Sequence, residues 1–374
     1  MDKGPSAKHK VSVIIPNYNY ERFLEERIRS ITEQTVTPHE IIFLDDLSSD
    51  RSLPEARKLL DQSGLRYRLF RNHENLGTYA QWQKGIELAT GDFIWIAEAD
   101  DSSSPDFLEK MLANMQDRDV VMSYSQSLVV DDEGKVIRSR NLHHTDALSS
   151  DRWLSDYTAS GVREVTDFLV YRNSIPNVSA CLFRTQSLRA CGNRFQELRY
   201  CGDWLLYSEL LTRGSVAYHA QPLNVFRRHS GSVTRSQGKS LDYFRELIAV
   251  KKFQISAFPV HAHQFGTIRK FIDSDYRFDS IKRNSDWSEF KAFMNQARQQ
   301  VSGRKRICFI TTNNGSFNGG SEMLWIESAA ALREKGHDVM VVIRDWNPPP
   351  KFISEFSRDG IKVTLKQDLS LIHI

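Results

Sequence analysis

The sequence predicts an α/β fold with a doubly wound, mostly parallel sheet, followed by a helical stretch and a second, partial Rossmann-like unit. Two observations predict the first sheet. Short apolar, β-branched runs alternate with amphipathic helical stretches through the first hundred residues, as strands do when crossover helices bury both their faces. Acidic groups stand directly behind two of those runs, at the carboxyl ends of strands, where open parallel sheets bind their ligands.

The elements follow in order. Residues 11–15 are an apolar run ended by Pro16 and Asn17, and residues 21–34 carry Phe23, Leu24, Ile28 and Ile31 at helical spacing. Residues 41–44 form a second strand that ends on Asp45 and Asp46. A helix over 52–63 stops at Gly64, and residues 67–70 make a third strand. Tyr79, Trp82, Ile86 and Ala89 mark a helix closed by Gly91. Residues 93–97 are a fourth strand running straight into Glu98, Ala99, Asp100 and Asp101. Ser104 and Pro105 suit the start of a helix over 106–115. Residues 120–125 read as a strand, 128–137 as a hairpin around Gly134, 138–160 as a polar loop, and 241–300 as helices. A second α/β pattern begins after a basic junction at 302–306. It has strands at 307–311, 339–343 and 361–365, and a helix at 321–335. The expected division is 1–240, 241–302 and 303–374, with the last part too short for a whole doubly wound domain and therefore truncated.

Composition narrows the function. At roughly 150 residues per domain, 374 residues suggest two or three domains. Apolar residues at 40% and charged residues at 26% exclude global disorder. Fifty basic against 47 acidic side chains leave +3, too balanced for a nucleic-acid footprint, so no nucleic-acid partner is expected. No apolar run approaches the ~20 residues that span a bilayer, and the polar start has no secretory core. A cytoplasmic protein is expected. Four cysteines without CxxC spacing point to neither a disulfide framework nor a zinc site.

The chemistry lies in the clustered carboxylates. Hard cations such as Mg2+ and Mn2+ take oxygen ligands and share them with substrate phosphates. Glu98, Ala99 and Asp100 form an acidic-x-acidic element in the turn after a buried strand, where such a cation could be held. A solvated acidic turn capping the next helix is the plain alternative.

These residues carry a resemblance. The run from Val11 through Pro16, Asn17, Tyr18 and Asn19, then Asp45 and Asp46, then Asn75, Leu76 and Gly77, then Gly91 through Asp101 resemble family 2 glycosyltransferases of the GT-A fold over about residues 10–235. The resemblance implies a nucleotide-sugar donor, inversion at the anomeric carbon, and Mn2+ or Mg2+ as cofactor. It implies that Pro16, Tyr18 and Asp46 hold the base, with Asn75 and Gly77 in the same donor-binding set. Glu98 and Asp100 would hold ribose and metal, with the adjacent Asp101 as a further metal ligand. Asp203, at the start of a helix marked by Trp204, Tyr207 and Leu211, matches the general base. Arg228 and His229 fall in the closing basic segment after Arg227, as a diphosphate contact and a metal ligand. Trp204 is a candidate platform for an acceptor sugar. Three positions depart from the family pattern: Glu98 where Asp usually stands, Trp82 and Gln83 for Arg-Asn, and Gly202 for the Glu before the base.

The implied acceptor is a glycan or lipid-linked glycan in bacterial cell-surface polysaccharide synthesis, reached at the inner membrane by peripheral contact. The alternative is a nucleotide-sugar or glycan-binding module that keeps the fold without turnover. A nucleotidyltransferase is disfavoured because its Gly-rich phosphate loop is missing. Gly319, Gly320, Ser321 and Glu322, then Gly336, His337 and Asp338, resemble the start of a family 4 glycosyltransferase of the GT-B fold. No independent second activity is expected from so short a piece. Lys251 and Lys252 are expected on a solvated helix face, and His143, His144, His261 and His263 in solvent.

Overall fold

The computed structural model describes residues 9–142, 145–229, 240–275, 285–302, 306–310, 320–334, 337–344, 351–358 and 360–366. His143, His144, Gly319 and Gly336 fall outside these. The chain divides into two compact units. The first comprises residues 1–158 and 172–250, and the second 159–171 and 251–374.

The first unit starts with β1 (Val11–Asn17), α1 (Glu21–Thr32), β2 (Glu40–Asp45), α2 (Ser52–Ser63), β3 (Tyr67–Arg71), α3 (Thr78–Leu88) and β4 (Phe93–Ile96). These are the alternating elements the sequence predicts. Every residue of β1, β2 and β4 is buried, which is why they read as unbroken apolar runs rather than alternating ones. β1 lies parallel between β2 and β4, and β3 continues on β2. Pro16 does not end β1: it pairs in register with Leu44, and the strand runs on through Asn17. That extra residue carries the chain to the carboxyl rim beside Asp45.

Beyond β4 come β5 (Ser102–Ser103), α4 (Phe107–Asn114), β6 (Val120–Val130), β7 (Val136–Arg138), β8 (Tyr157–Ser160), β9 (Cys181–Arg184), α6 (Thr185–Arg189), α7 (Gly202–Leu210) and β10 (Ser215–Arg227); α5 (Gly161–Glu164) lies between β8 and β9. The sheet order is β3-β2-β1-β4-β9-β6-β10-β5. β9 inserts antiparallel between β4 and β6, so the sheet is mixed, while β6 and β10 pair in parallel. The core beneath β1, β2 and β4 includes Ile28, Ile31, Phe43, Trp95, Phe107 and Met111. Trp95 stacks on Phe107 at 4.6 Å, and its indole N–H donates to the Ser179 carbonyl. The hairpin forms between β6 and β7, whereas the polar stretch 138–160 contains the β8 strand and a short 3-10 turn at Arg152–Leu154. Ser104 is not the cap of α4. Its hydroxyl donates to Asp106, which stands at the cap position, and the helix begins one residue later than expected, at Phe107.

In the second unit, α8 (Leu241–Ala257, of which residues from 251 belong here), α9 (Gln264–Asp275) and α10 (Ser285–Ser302) precede β11 (Arg306–Ile310), α11 (Gly320–Glu334), β12 (Asp338–Arg344), α12 (Lys351–Arg358) and β13 (Lys362–Lys366). The last three strands form a parallel sheet in the order β11-β12-β13, with Ala329, Val341, Ile343 and Phe356 in its core. His263 is exposed and His261 half-buried, their rings 5.7 Å apart.

Lys251 corrects the sequence expectation. It is fully buried, and its ammonium donates to the Val170 carbonyl at 2.7 Å. The π-helical turn Val165–Leu169 leaves carbonyls at its C-terminal end, and an ammonium group supplies donors for them. A charge pattern on α8 cannot reveal a partner some eighty residues earlier in the chain. Lys252 is half-buried.

Candidate active site

The acidic groups that follow β2 and β4 sit at the same rim, and α3 links them. The loop before α3 turns at Gly77, whose φ of +85° is open to glycine at little cost. That turn aims two backbone N–H groups at Asp46. Leu76 N donates to Oδ1 and Gly77 N to Oδ2, each at 2.8 Å, and the Asn72 amide donates to Oδ1 at 2.7 Å. A carboxylate has about four acceptor sites, so the buried Asp46 retains capacity for one more donor. Asn75 donates to the Asp46 carbonyl at 3.3 Å while staying exposed. Asp45 is fully buried and accepts from Asn17 and from Ser48 N. Tyr18 stands 48% exposed in the turn after β1, with its ring available to stack.

At the second residue of α3, the Tyr79 hydroxyl lies 3.4 Å from Asp203 Oδ1 and donates to the Tyr200 carbonyl at 3.1 Å. At the next position on that face, the Trp82 indole N–H donates to Glu98 Oε1 at 2.6 Å. Gly77 to Trp82 spans about 7.5 Å along a helix. Asp46, Asp203 and Glu98, separated by up to 157 positions in sequence, are thus served by one short stretch.

Trp82 also gives a physical reason for the unusual Glu98. The longer carboxylate reaches the indole, and the two aromatic rings of Tyr79 and Trp82 meet edge-on at 4.9 Å. Gly202 has a similar reason. A Cβ there would stand 2.5 Å from the Tyr79 ring and 2.6 Å from the Phe195 carbonyl oxygen, so a glutamate has no room beside this tyrosine.

Burial, then the neighbouring Asp100, push the Glu98 carboxyl up to about 8. Burial and Asp100 also raise Asp101. Asp101 accepts from the Asn177 amide at 3.1 Å and from Arg227 N at 3.0 Å. Asp100 differs: its Oδ2 lies 2.9 Å from His229 Nε2. His229 is buried and packed by the rings of Tyr20 and Phe23, each 5.4 Å away. Arg27 is a fully buried cation under this turn. Its Nε donates to the Glu98 carbonyl, and Asp101, Asp100 and Glu98 partly offset the burial that lowers its pKa.

The basic segment after β10 divides by role. The Arg227 guanidinium is buried and bonds the Asp100 carbonyl and Glu26, fastening the end of β10 over the acidic turn. Arg228 is exposed, with its backbone N–H bonded to the Val130 carbonyl. Pro16 is buried within β1.

Asp203 lies in the first turn of α7, half-buried. Trp204 N donates to Oδ1 at 2.7 Å, and the Asn173 amide donates to Oδ2 at 2.8 Å. Burial raises its carboxyl, these hydrogen bonds and that of Tyr79 hold it down, and the result is about 6. Trp204 does not present an open ring to an acceptor. It is 5% exposed and faces the interior from α7.

Sequence reasoning missed Tyr79, Asn173, Asn177, Ser179 and Arg27. The Asn/Ser/Pro-rich segment 173–179 was the available signal, since such clusters mark ordered polar loops. Arg27 gave none, because its pattern is that of an ordinary helix face. Among the described residues, no group of three or more His, Cys, Asp and Glu side chains is arranged to hold a metal ion. Asp100 and His229 offer two donors side by side.

The first unit is an α/β domain whose sheet gathers acidic side chains at one rim, and comparison with known proteins shows what it resembles. Residues 12–181 match the family described as Glycosyl transferase family 2. An uncharacterized glycosyltransferase of Haemophilus influenzae is 34% identical over 128 residues, covering 34% of this chain and 51% of that protein. TuaG of Bacillus subtilis, named as a teichuronic acid biosynthesis glycosyltransferase, is 28% identical over 146 residues, covering 38% and 56%. The chain spans about half the length of these curated relatives. The crystal structure of residues 1–349 of S. aureus TarS in complex with UDP-GlcNAc aligns with a TM-score of 0.58 at 20% identity, covering 78% of this chain and 82% of that one. This likeness supports the GT-A fold. Among the described residues, no helix is long and apolar enough to cross a membrane.

Proposed function

We propose that this protein is an inverting glycosyltransferase that moves a sugar from a nucleoside-diphosphate sugar to an acceptor hydroxyl, with Asp203 as general base. The observation that carries this reading is the convergence on α3: its first turns touch Asp46, Asp203 and Glu98 together. A base-binding carboxylate, a proton acceptor and an acidic turn at one rim are what the transfer requires.

In the reaction, Asp203 takes the proton of the acceptor hydroxyl as its oxygen forms a bond to the anomeric carbon. The bond from that carbon to the diphosphate oxygen breaks on the opposite face, which inverts the centre. A carboxyl with a pKa of about 6 suits this role, because it is ionised at neutral pH yet basic enough to accept a proton. Asp46 uses its remaining acceptor capacity on the nucleobase, beside Tyr18, Asn75 and Gly77. Asp100 and His229 fit a divalent cation, since Mg2+ and Mn2+ commonly take one or two protein ligands and leave the rest to phosphate oxygens. When bound, such a cation neutralises charge on the departing diphosphate. Asp101 supports the turn, and the exposed Arg228 guanidinium meets diphosphate oxygens.

The name of TuaG supports a setting in cell-surface polysaccharide synthesis, with a glycan or lipid-linked glycan as acceptor and peripheral contact with the membrane that carries it. We also assign β11 to β13 and their helices to the front part of a GT-B-type domain.

The test is a panel of nucleoside-diphosphate sugars with and without Mn2+, read by release of nucleoside diphosphate. One donor should turn over, and Asp203→Asn should lose that turnover while still binding the same nucleoside diphosphate. Nucleotide binding with no turnover on any donor or acceptor would favour the silent binding module.

A further inference from the structure

The segment between β8 and β9 holds two asparagines with the same local geometry. Asn173 Oδ1 accepts the backbone N–H of Ile175, two residues on, at 3.3 Å. Asn177 Oδ1 accepts the N–H of Ser179, also two residues on, at 2.8 Å. Each turn fixes the amide so that its NH2 faces outward from the loop. Asn173 Nδ2 then donates to Asp203 Oδ2 at 2.8 Å, and Asn177 Nδ2 to Asp101 Oδ2 at 3.1 Å. Ser179 Oγ adds a third link by accepting Glu98 N at 3.1 Å. One seven-residue stretch therefore grips the acidic turn after β4 at one end and the head of α7 at the other.

We infer that Asn173 is the positioning residue of the general base: it holds the Asp203 carboxylate in one orientation, tied through the 173–179 strap to the turn that faces the departing diphosphate. This deepens the proposed function and rests on it. Asp203 Oδ1 is taken by Trp204 N and the more distant Tyr79 hydroxyl. Oδ2 accepts from the Asn173 amide, which decides which way the oxygen that receives the proton points. The other titratable groups facing Asp203 are Tyr79 from α3, Cys181 from β9 and Tyr207 from α7, with Cys201 acting on Tyr79. Glu246 stands behind them, accepting the N–H groups of Arg199, Tyr200 and Cys201 that lead into α7. None of these groups is a cation at neutral pH. The contacts that hold the Asp203 carboxyl down are hydrogen bonds, and Asn173 contributes the shortest from a side chain.

The experiment uses the full chain without ligand, with carboxyl carbons labelled, and follows the Asp203 titration by NMR. Asn173→Asp preserves the acceptor for Ile175 N but replaces the donor with a like charge. Asn173→Ala removes both. Asn177→Asp makes the same change at the other end of the strap. Asn173→Ala should raise the Asp203 pKa by about one unit, a tenfold gain in proton affinity. Asn173→Asp should raise it further, and Asn177→Asp should leave it where it is. On the donor that turns over, Asn173→Ala should lower kcat with little change in the donor KM, and its acid limb should move with the titration. An unmoved Asp203 pKa in both Asn173 variants overturns the inference, as does an equal shift in Asn177→Asp. Full turnover in Asp203→Asn would instead remove the base assignment, a separate outcome that the titration does not share.

Discussion

Replacing Asp203 by Asn separates a catalytic carboxylate from a merely structural one, because the two roles predict opposite changes in stability. The folded carboxyl sits at about 6 against an ordinary 3.8. Its folded pKa is raised, so its linkage favours the fold at low pH and is progressively lost as pH rises from about 4 to about 6. A difference near 2.2 units corresponds to about 3 kcal/mol at most. Asn avoids that cost, but its NH2 meets the NH2 of Asn173 or gives up the bond from Trp204 N, which returns about 1–2 kcal/mol. Asp203→Asn should therefore be more stable than wild type at pH 7.5 by about 1–2 kcal/mol, and no more stable at pH 4. Its turnover should fall by roughly 10²–10⁴-fold, the usual contribution of a positioned base. Wild-type kcat/KM should climb tenfold per pH unit below about 6 and level off above it. Urea unfolding at the two pH values and a pH–rate profile measure both. A variant that is less stable than wild type at pH 7.5 and still turns over would refute the reasoning, since it would make Asp203 a simple helix cap.

Further outcomes follow from the same contacts. Asp46→Ala leaves Leu76 N, Gly77 N and the Asn72 amide without their acceptor; unfolding should show a loss of about 2–4 kcal/mol and calorimetry a weakened nucleotide affinity. Glu98→Gln should flatten the fall in stability between pH 5 and 8, because the raised Glu98 pKa of about 8 makes wild type lose stability across that window; thermal melts over this range check it. Lys251→Met buries a similar stem but removes the donor to Val170, and should cost about 1–3 kcal/mol by chemical unfolding.

The elements of the first sheet were legible because their cause is local. β1, β2 and β4 are buried on both faces, so apolar runs of the right length announce them, and the glycines and acidic pairs that follow mark the rim. The insertion of β9 antiparallel between β4 and β6 was not legible, since strand order depends on pairings some ninety residues apart. The same limit separates Asp203 from Asn173. A carboxylate at a helix start is a local pattern, whereas the amide that orients it lies thirty positions away in a loop with no period. Trp204 failed for a related reason. Its place on α7 was read correctly, but α7 is buried on nearly every side and has no solvent face on which to offer the ring.

The departures from the family pattern are better understood in pairs than singly. Trp82 and Glu98 are joined by a 2.6 Å hydrogen bond, the indole donating to a carboxylate one methylene longer than aspartate. Tyr79 and Gly202 are joined by contact, so an aromatic ring fills the space that a side chain at 202 would need. Both pairs take one member from α3 and touch each other through the edge-on rings of Tyr79 and Trp82. Removing one member alone therefore leaves a worse site than either complete arrangement. Trp82→Arg would place a cation against Glu98 and draw its raised pKa down, while withdrawing the ring that braces Tyr79 beside Asp203.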